Sequence, residues 1–179
     1  MNKITALVLW FVFIFAPACN PGRQDSKLYF SNSVESAFAW QDHSSQGITW
    51  SDQAHSGNYV CKMDSATPYS VTFNMKLSDI SRKPLKSVRI SAWVNMSSMV
   101  SDPVIAVDIR DSNFTSMEWI SRPAKDFVAQ PNHWEQIDFK VNLREKNRNR
   151  KSNYLRIYLS NAHRDYTLAD DIEISFEEQ

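Results

Sequence analysis

Three glycines in 179 residues leave this chain almost no material for backbone that must pass close to a phosphate. Gly22, Gly47 and Gly57 stand far apart, so a phosphate-cradling loop and a dinucleotide-binding turn are both excluded. Two cysteines, Cys19 and Cys61, cannot build a disulfide framework. The four histidines are scattered, with no HExxH or HxH spacing and no paired Cys, and no GxSxG nucleophile elbow is present. Charge of one sign is missing as well: 20 Lys and Arg balance 20 Asp and Glu, so nucleic acid is not an expected partner. No window of useful length carries the i, i+3, i+4 apolar spacing of an amphipathic helix.

What is present is apolar alternation. Val88, Ile90, Ala92, Val94 and Met96 form one row, Tyr69, Val71, Phe73, Met75 and Leu77 another, and Ile137, Phe139, Val141 and Leu143 a third. Val107 and Ile109 look inward in a further strand, and Tyr59, Cys61 and Met63 share a face in an earlier one. A period of two bounded by polar turns marks half-buried strands. The last stretch, Tyr154 to Phe176, sets Leu155, Ile157 and Leu159 before a polar turn at residues 161–165, then Ile172, Ile174 and Phe176 after it, and predicts two strands paired through that turn. Eight to ten such strands predict an all-β fold, a two-sheet antiparallel β-sandwich of jelly-roll type.

The first residues do not belong to that fold. Lys3 precedes an apolar run from Ile4 to Phe15, and Ala16-Pro17-Ala18 leads into Cys19, the plan of a secretory signal peptide over residues 1–18. The run is short for a membrane span. The stretch resembles the lipobox of bacterial lipoproteins, apart from Ala16 where Leu is usual. That resemblance implies lipidation of Cys19, a membrane partner through the lipid, and a place in the bacterial cell envelope. Asn20, not Asp, follows the cysteine, which by the same resemblance favours the outer membrane. Residues 19–27 then read as the lipidated Cys and a polar tether, and 28–179 as the domain. Were Cys19 incidental to an ordinary cleaved signal, a Cys19–Cys61 disulfide would become available; with Cys19 acylated, Cys61 is a buried, unpaired thiol.

Within the domain, Val34-Glu35-Ser36, His55-Ser56-Gly57-Asn58-Tyr59, Val88 to Val94, a lone Trp134 and Ala169-Asp170-Asp171-Ile172 occur in an order that resembles the galactose-binding-like jelly roll of carbohydrate-binding modules. The resemblance implies a non-catalytic glycan-binding role and one structural calcium, held by Glu35, by Asp170 or Asp171, and by main-chain oxygens near His55 and Gly57. Calcium takes about six to eight oxygen ligands, which a loop meeting a strand end supplies. The bland alternative is an Asp pair capping a turn.

Strand parity points to the sugar contacts. Trp93 falls on the polar row with Arg89 and Ser91, Tyr158 on that of Tyr154 and Arg156, and Asp108 with Arg110 on a third. If these strands share a sheet, Trp93, Arg89, Tyr158, Asp108 and Arg110 form one platform in which rings stack on pyranose faces and charges fix hydroxyls. The bland alternative puts Trp93 under a loop. The basic run at residues 144–151 reads as a solvated loop. Glu135 and Asp138 diverge in parity, and the remaining carboxylate pair, Asp108 with Glu118, is the one arrangement left for a glycosidase. A structural or partner-binding envelope lipoprotein is the other reading of the same residues.

Overall fold

The computed structural model describes residues 28–35, 40, 47–144 and 152–179. The expected signal peptide, Cys19 and the expected tether therefore lie outside the described residues, as do residues 145–151 of the basic run. The strands are β1 (Tyr29–Asn32), β2 (Ile48–Trp50), β3 (Tyr59–Met63), β4 (Phe73–Lys76), β5 (Leu85–Met96), β6 (Val104–Arg110), β7 (Ser116–Pro123), β8 (Trp134–Asn142), β9 (Tyr154–Ser160) and β10 (Thr167–Glu178). One helical turn, α1 (Leu77–Ile80), buries Leu77 and Ile80 between β4 and β5.

Alternation sorts these strands into two antiparallel sheets. A six-stranded sheet runs β2-β3-β10-β5-β8 with β1 also paired to β10, and a four-stranded sheet runs β4-β9-β6-β7. The predicted β-sandwich is the fold of the domain. Val88, Ile90, Ala92, Val94 and Met96 of β5 are all fully buried, in one core with Ile105, Val107 and Ile109 of β6 and Leu155, Ile157 and Leu159 of β9. Each such aliphatic side chain contributes roughly 1.5–3 kcal/mol by leaving water.

Two sequence expectations fail for identifiable reasons. The last two strands do not pair: β9 belongs to the four-stranded sheet and β10 to the six-stranded one. Asn161, buried at the start of the predicted turn, donates from Nδ2 to Asp165 O at 2.6 Å and accepts from His163 N at 3.0 Å, while its own N–H reaches Pro68 O. This ties the connection to the segment after β3 and arches it from one layer to the other.

The row Tyr69 to Leu77 is also broken. Its strand portion is only β4; Ser70 and Thr72, expected outside, are buried, and Tyr69, expected inside, is 57% exposed. Ser70 Oγ accepts from Leu159 N and its N–H donates to Leu159 O, so that segment is held by a side chain and not by ladder parity alone.

Strand β10 changes neighbours midway. Thr167 to Ala169 pair with β3, and Ile172 to Ser175 pair with β1. Between them the ladder to β5 shifts register, with Asp171 at φ 44°. The bulge at Asp170-Asp171 keeps Ala169 and Ile172 both buried and turns the two carboxylates toward the loop after β2.

Candidate functional site

The five predicted sugar contacts do not form one platform. Trp93 and Arg89 sit on β5 in the six-stranded sheet, and Tyr158, Asp108 and Arg110 sit on β9 and β6 in the four-stranded sheet. Since all five point away from the core, the sandwich stands between the two groups. Alternation fixed which way each side chain faces, and it carries no record of the layer.

The outer face of the four-stranded sheet carries a contiguous aromatic group. Tyr158 pairs across to Ala106, and Ala106 to Ser121, so small residues follow it across the sheet. Trp119, 54% exposed, donates from Nε1 to the Tyr158 hydroxyl at 3.2 Å. Tyr69 meets Tyr158 edge to face, ring centroids 5.7 Å apart, and the Arg156 guanidinium lies 5.7 Å from the same ring. Asn74, Arg156, Asp108 and Trp119 are register neighbours in one row across the sheet, and Asn74 Oδ1 is buried with no hydrogen bond among the described residues.

Asp108 is not itself a contact group. It is 1% exposed, accepts from Arg110 Nε and from Ser116 Oγ, both at 2.6 Å, and so brackets Arg110 against the strand. Arg110 keeps 28% of its side chain exposed and also reaches Phe114 O. Glu118 points the other way, into the sandwich, with Arg144 Nε 3.0 Å from its carboxylate. Asp108 and Glu118 therefore lie on opposite faces of their sheet and cannot flank one glycosidic bond.

Trp119 and Tyr69 were missed by sequence reasoning. In β7 an apolar row read from Met117 and Trp119 would point inward, yet Glu118 and Ile120 face the core, with a register shift beside Met117. The register to Asp108 is the one signal that puts Trp119 outside, and it is not written in the sequence.

On the six-stranded sheet Trp93 does leave the core, its flanking Ala92 and Val94 being fully buried. One face of its ring is covered by His55, centroids 4.0 Å apart, and Trp134 meets His55 edge-on. Trp93 is thus both outward and partly beneath the loop after β2. Arg89 is bound to Asp138 through Nε at 2.7 Å and through Nη2, which raises the guanidinium pKa and lowers that of the carboxyl.

Glu35, Asp170 and Asp171 all close on that loop. Glu35 Oε1 accepts from the N–H groups of Asn58 and Tyr59, at 2.8 and 2.9 Å. Asp170 Oδ2 accepts from His55 N and Ser56 N, each at 3.1 Å, and its Oδ1 from Asp171 N at 2.8 Å. Asp171 takes His55 Nδ1 and Ser56 Oγ, both at 2.8 Å. Burial of Asp170 raises its pKa, against the lowering by these N–H donors. The expected residues do gather at that loop, and the carboxylates accept from its N–H and O–H donors and from His55. Among the described residues no three Asp, Glu, His or Cys side chains gather to hold a metal. As arranged, these carboxylates make a hydrogen-bonded latch between the loop after β2 and the bulge of β10.

The fold defines the class: a two-sheet β-sandwich like that of solved carbohydrate-binding modules. No protein-family model and no curated protein matches the chain. Among solved structures it is similar to the CBM22-2 xylan-binding domain of Paenibacillus barcinonensis Xyn10C, at TM-score 0.53 and 12% identity over 84% of this chain and 99% of that one. It is similar also to the CBM22-1 xylan-binding domain of the same protein, at TM-score 0.50 and 17% identity over 84% and 94%. At these identities the likeness is one of fold.

Proposed function

We propose that the protein is a non-catalytic, glycan-binding lipoprotein of the bacterial cell envelope, and that the outer face of the four-stranded sheet is its sugar platform. The observation that carries this is the aromatic group on one outer sheet face, with Tyr69 and Trp119 exposed and the half-buried Tyr158 joining them, when rings of that size ordinarily go to the core. Pyranose rings offer an apolar face for stacking and a rim of hydroxyls. Here the rim groups are Arg156, the bracketed Arg110 and the buried acceptor Asn74 Oδ1. The solved modules of the same fold are described as xylan-binding, which supports a polysaccharide as the ligand class. The divergence of Asp108 and Glu118 supports the non-catalytic part.

The envelope part rests on the leader pattern through Cys19. Labelling cells with a fatty-acid analogue should mark the protein and fail to mark Cys19→Ser; equal labelling of both would end the lipoprotein reading.

The platform is tested by calorimetric titration of the purified protein with xylan, glucan, mannan and galactan. Binding is expected to at least one, and Trp119→Ala and Tyr158→Ala should each weaken it by about 30-fold, the loss of an aromatic contact of about 2 kcal/mol. Absence of binding to every polysaccharide, or variants that bind as the parent does, would overturn the assignment.

A further inference from the structure

The opposite face of the sandwich carries a hollow that this platform does not use. A cavity of about 430 Å³ is lined by Tyr29, Trp93, Gln136, Asp171 and Glu173 among others, and an adjoining hollow of about 250 Å³ shares Tyr29, Gln136 and Glu173 with it. Its shape follows from β5. Outward positions 89, 91 and 93 alternate large, small, large, so the sheet dips at Ser91 between the Arg89 side chain and the Trp93 ring. Ser31, Glu173, Ser91 and Asp138 lie in register across the floor, and Tyr29 rises from β1 beside them.

We propose that this groove is a second binding site, for a neutral sugar residue of an oligosaccharide. It rests on the glycan-binding reading for the class of ligand and on none of the platform's residues. Trp93 supplies the apolar surface. It is fixed before any ligand arrives, because His55 lies on one face of the ring and is itself held by Asp171, so ordering it costs little on binding. Gln136 donates from Nε2 to Ser91 Oγ at 2.9 Å, which leaves its carbonyl oxygen to accept from a sugar hydroxyl. Glu173 is exposed and lines the groove together with Tyr29, so its carboxylate lone pairs suit a vicinal diol.

The charges decide which sugar. Arg89 is already committed to Asp138 by two of its nitrogens, and Asp171 is committed to His55 and Ser56. Among the described residues no cation stands against the Glu173 carboxylate, and Asp171 is hydrogen-bonded without a fixed positive charge beside it, so the hollow carries negative charge and repels a uronate. The volume lies within the roughly 300–1,000 Å³ of small-ligand sites. With one site on each outer face, the protein is bivalent and links two glycan strands, or two stretches of one.

The test is NMR titration of the isotope-labelled protein with neutral xylo-, cello-, manno- and β-1,4-galacto-oligosaccharides, with oligogalacturonate as the charged comparison. The Trp93 indole and the amides of Ser91, Gln136 and Glu173 should shift with a neutral ligand and stay still with oligogalacturonate. Gln136→Ala, a change at an exposed position, should weaken that titration by about tenfold and leave the Trp119 indole titrating as before. Shifts confined to Trp119 and Tyr158 would overturn the groove and leave the platform standing. Shifts confined to the groove would do the reverse, and none with any ligand would overturn both. Equal shifts with oligogalacturonate would overturn the preference for a neutral sugar.

Discussion

His55 lies flat on Trp93, ring centroids 4.0 Å apart and planes 16° from parallel, with its Nδ1 2.8 Å from Asp171 Oδ2. A loop residue and a strand residue are thereby fastened to the bulge in the last strand. Stacking of this kind contributes about 0.5–1.5 kcal/mol and a hydrogen bond to a charged group about 1.5–3. His55→Ala should lower the unfolding free energy by about 2 kcal/mol and shift tryptophan emission to the red. His55→Phe should keep the emission and lose only the hydrogen-bond share. Denaturant unfolding followed by fluorescence reads both, and emission unchanged in His55→Ala would mean that the ring does not shield the indole.

Gly57 resists a side chain for two separate reasons. Its φ is +59°, and a Cβ built there would come within 2.3 Å of Glu35 Oε1. Gly57→Ala should therefore cost more than the roughly 1 kcal/mol of a left-handed alanine alone. Adding Glu35→Ala to it should recover the steric part and leave the backbone part. If the double variant is no more stable than expected from adding the two single losses, Glu35 does not press on this glycine.

Acid acts on the domain in two directions. Lys140, Lys86 and Ser87 hold the Glu177 carboxyl down at about 2, and Ser81 with Lys83 lowers that of Glu178. Groups lowered in the fold stabilise it above their unfolded pKa, and that contribution fades as pH falls toward the folded value. Asp170 is raised by burial, so it has the opposite sign: its contribution is complete below the ordinary carboxylate range and is lost as pH rises through its folded value. Carboxyl NMR should find Glu177 titrating near 2 and Asp170 above the usual aspartate range. Glu177→Gln should flatten the acid limb of the stability curve, and an unchanged limb would remove Glu177 as its source.

The latch of Glu35, Asp170 and Asp171 is satisfied by N–H and O–H donors, so a chelator should leave the thermal midpoint where it was. Added calcium at millimolar concentration should raise it by no more than magnesium does. A rise specific to calcium would show that the loop after β2 turns its carbonyls inward to make a metal shell.

Facing direction was legible in the long regular strands, where the apolar row is unbroken by a register shift. Ile90 and Val94 against Arg89, Ser91 and Trp93 are the clear case, and all of the β5 row fell as read. Layer membership was not legible, because Val107 and Ile109 alternate in the same way as Val88 and Ile90 while lying in the other sheet. That is why Trp93 and Tyr158 were joined into one platform. The acidic latch was legible through the order of short motifs, since Glu35 and the Asp pair do meet at the His55-Ser56-Gly57 turn. Its donors were not, because every such residue offers both N–H and C=O, and alternation says nothing of which one the loop after β2 presents to the carboxylates.

Cys61 is fully buried in the middle of β3, paired on one side to Ala169 and on the other to Ile48. Burial is the main reason its thiol is pushed up to about 12, so at neutral pH the nucleophilic thiolate is absent and no reagent can reach the sulfur. A disulfide reagent at pH 8 should leave Cys61 unmodified for as long as the sandwich is closed. When labelling does occur it must pass through an opening that separates β3 from β10, a pairing at the centre of the larger sheet. The labelling rate should then rise as the global unfolding free energy falls across a denaturant series, as for the slowest-exchanging amides. A fast phase independent of denaturant would mean that β2 and β3 peel away as a local unit, and would place the weakest edge of the larger sheet at its β2 end and not at its β8 end.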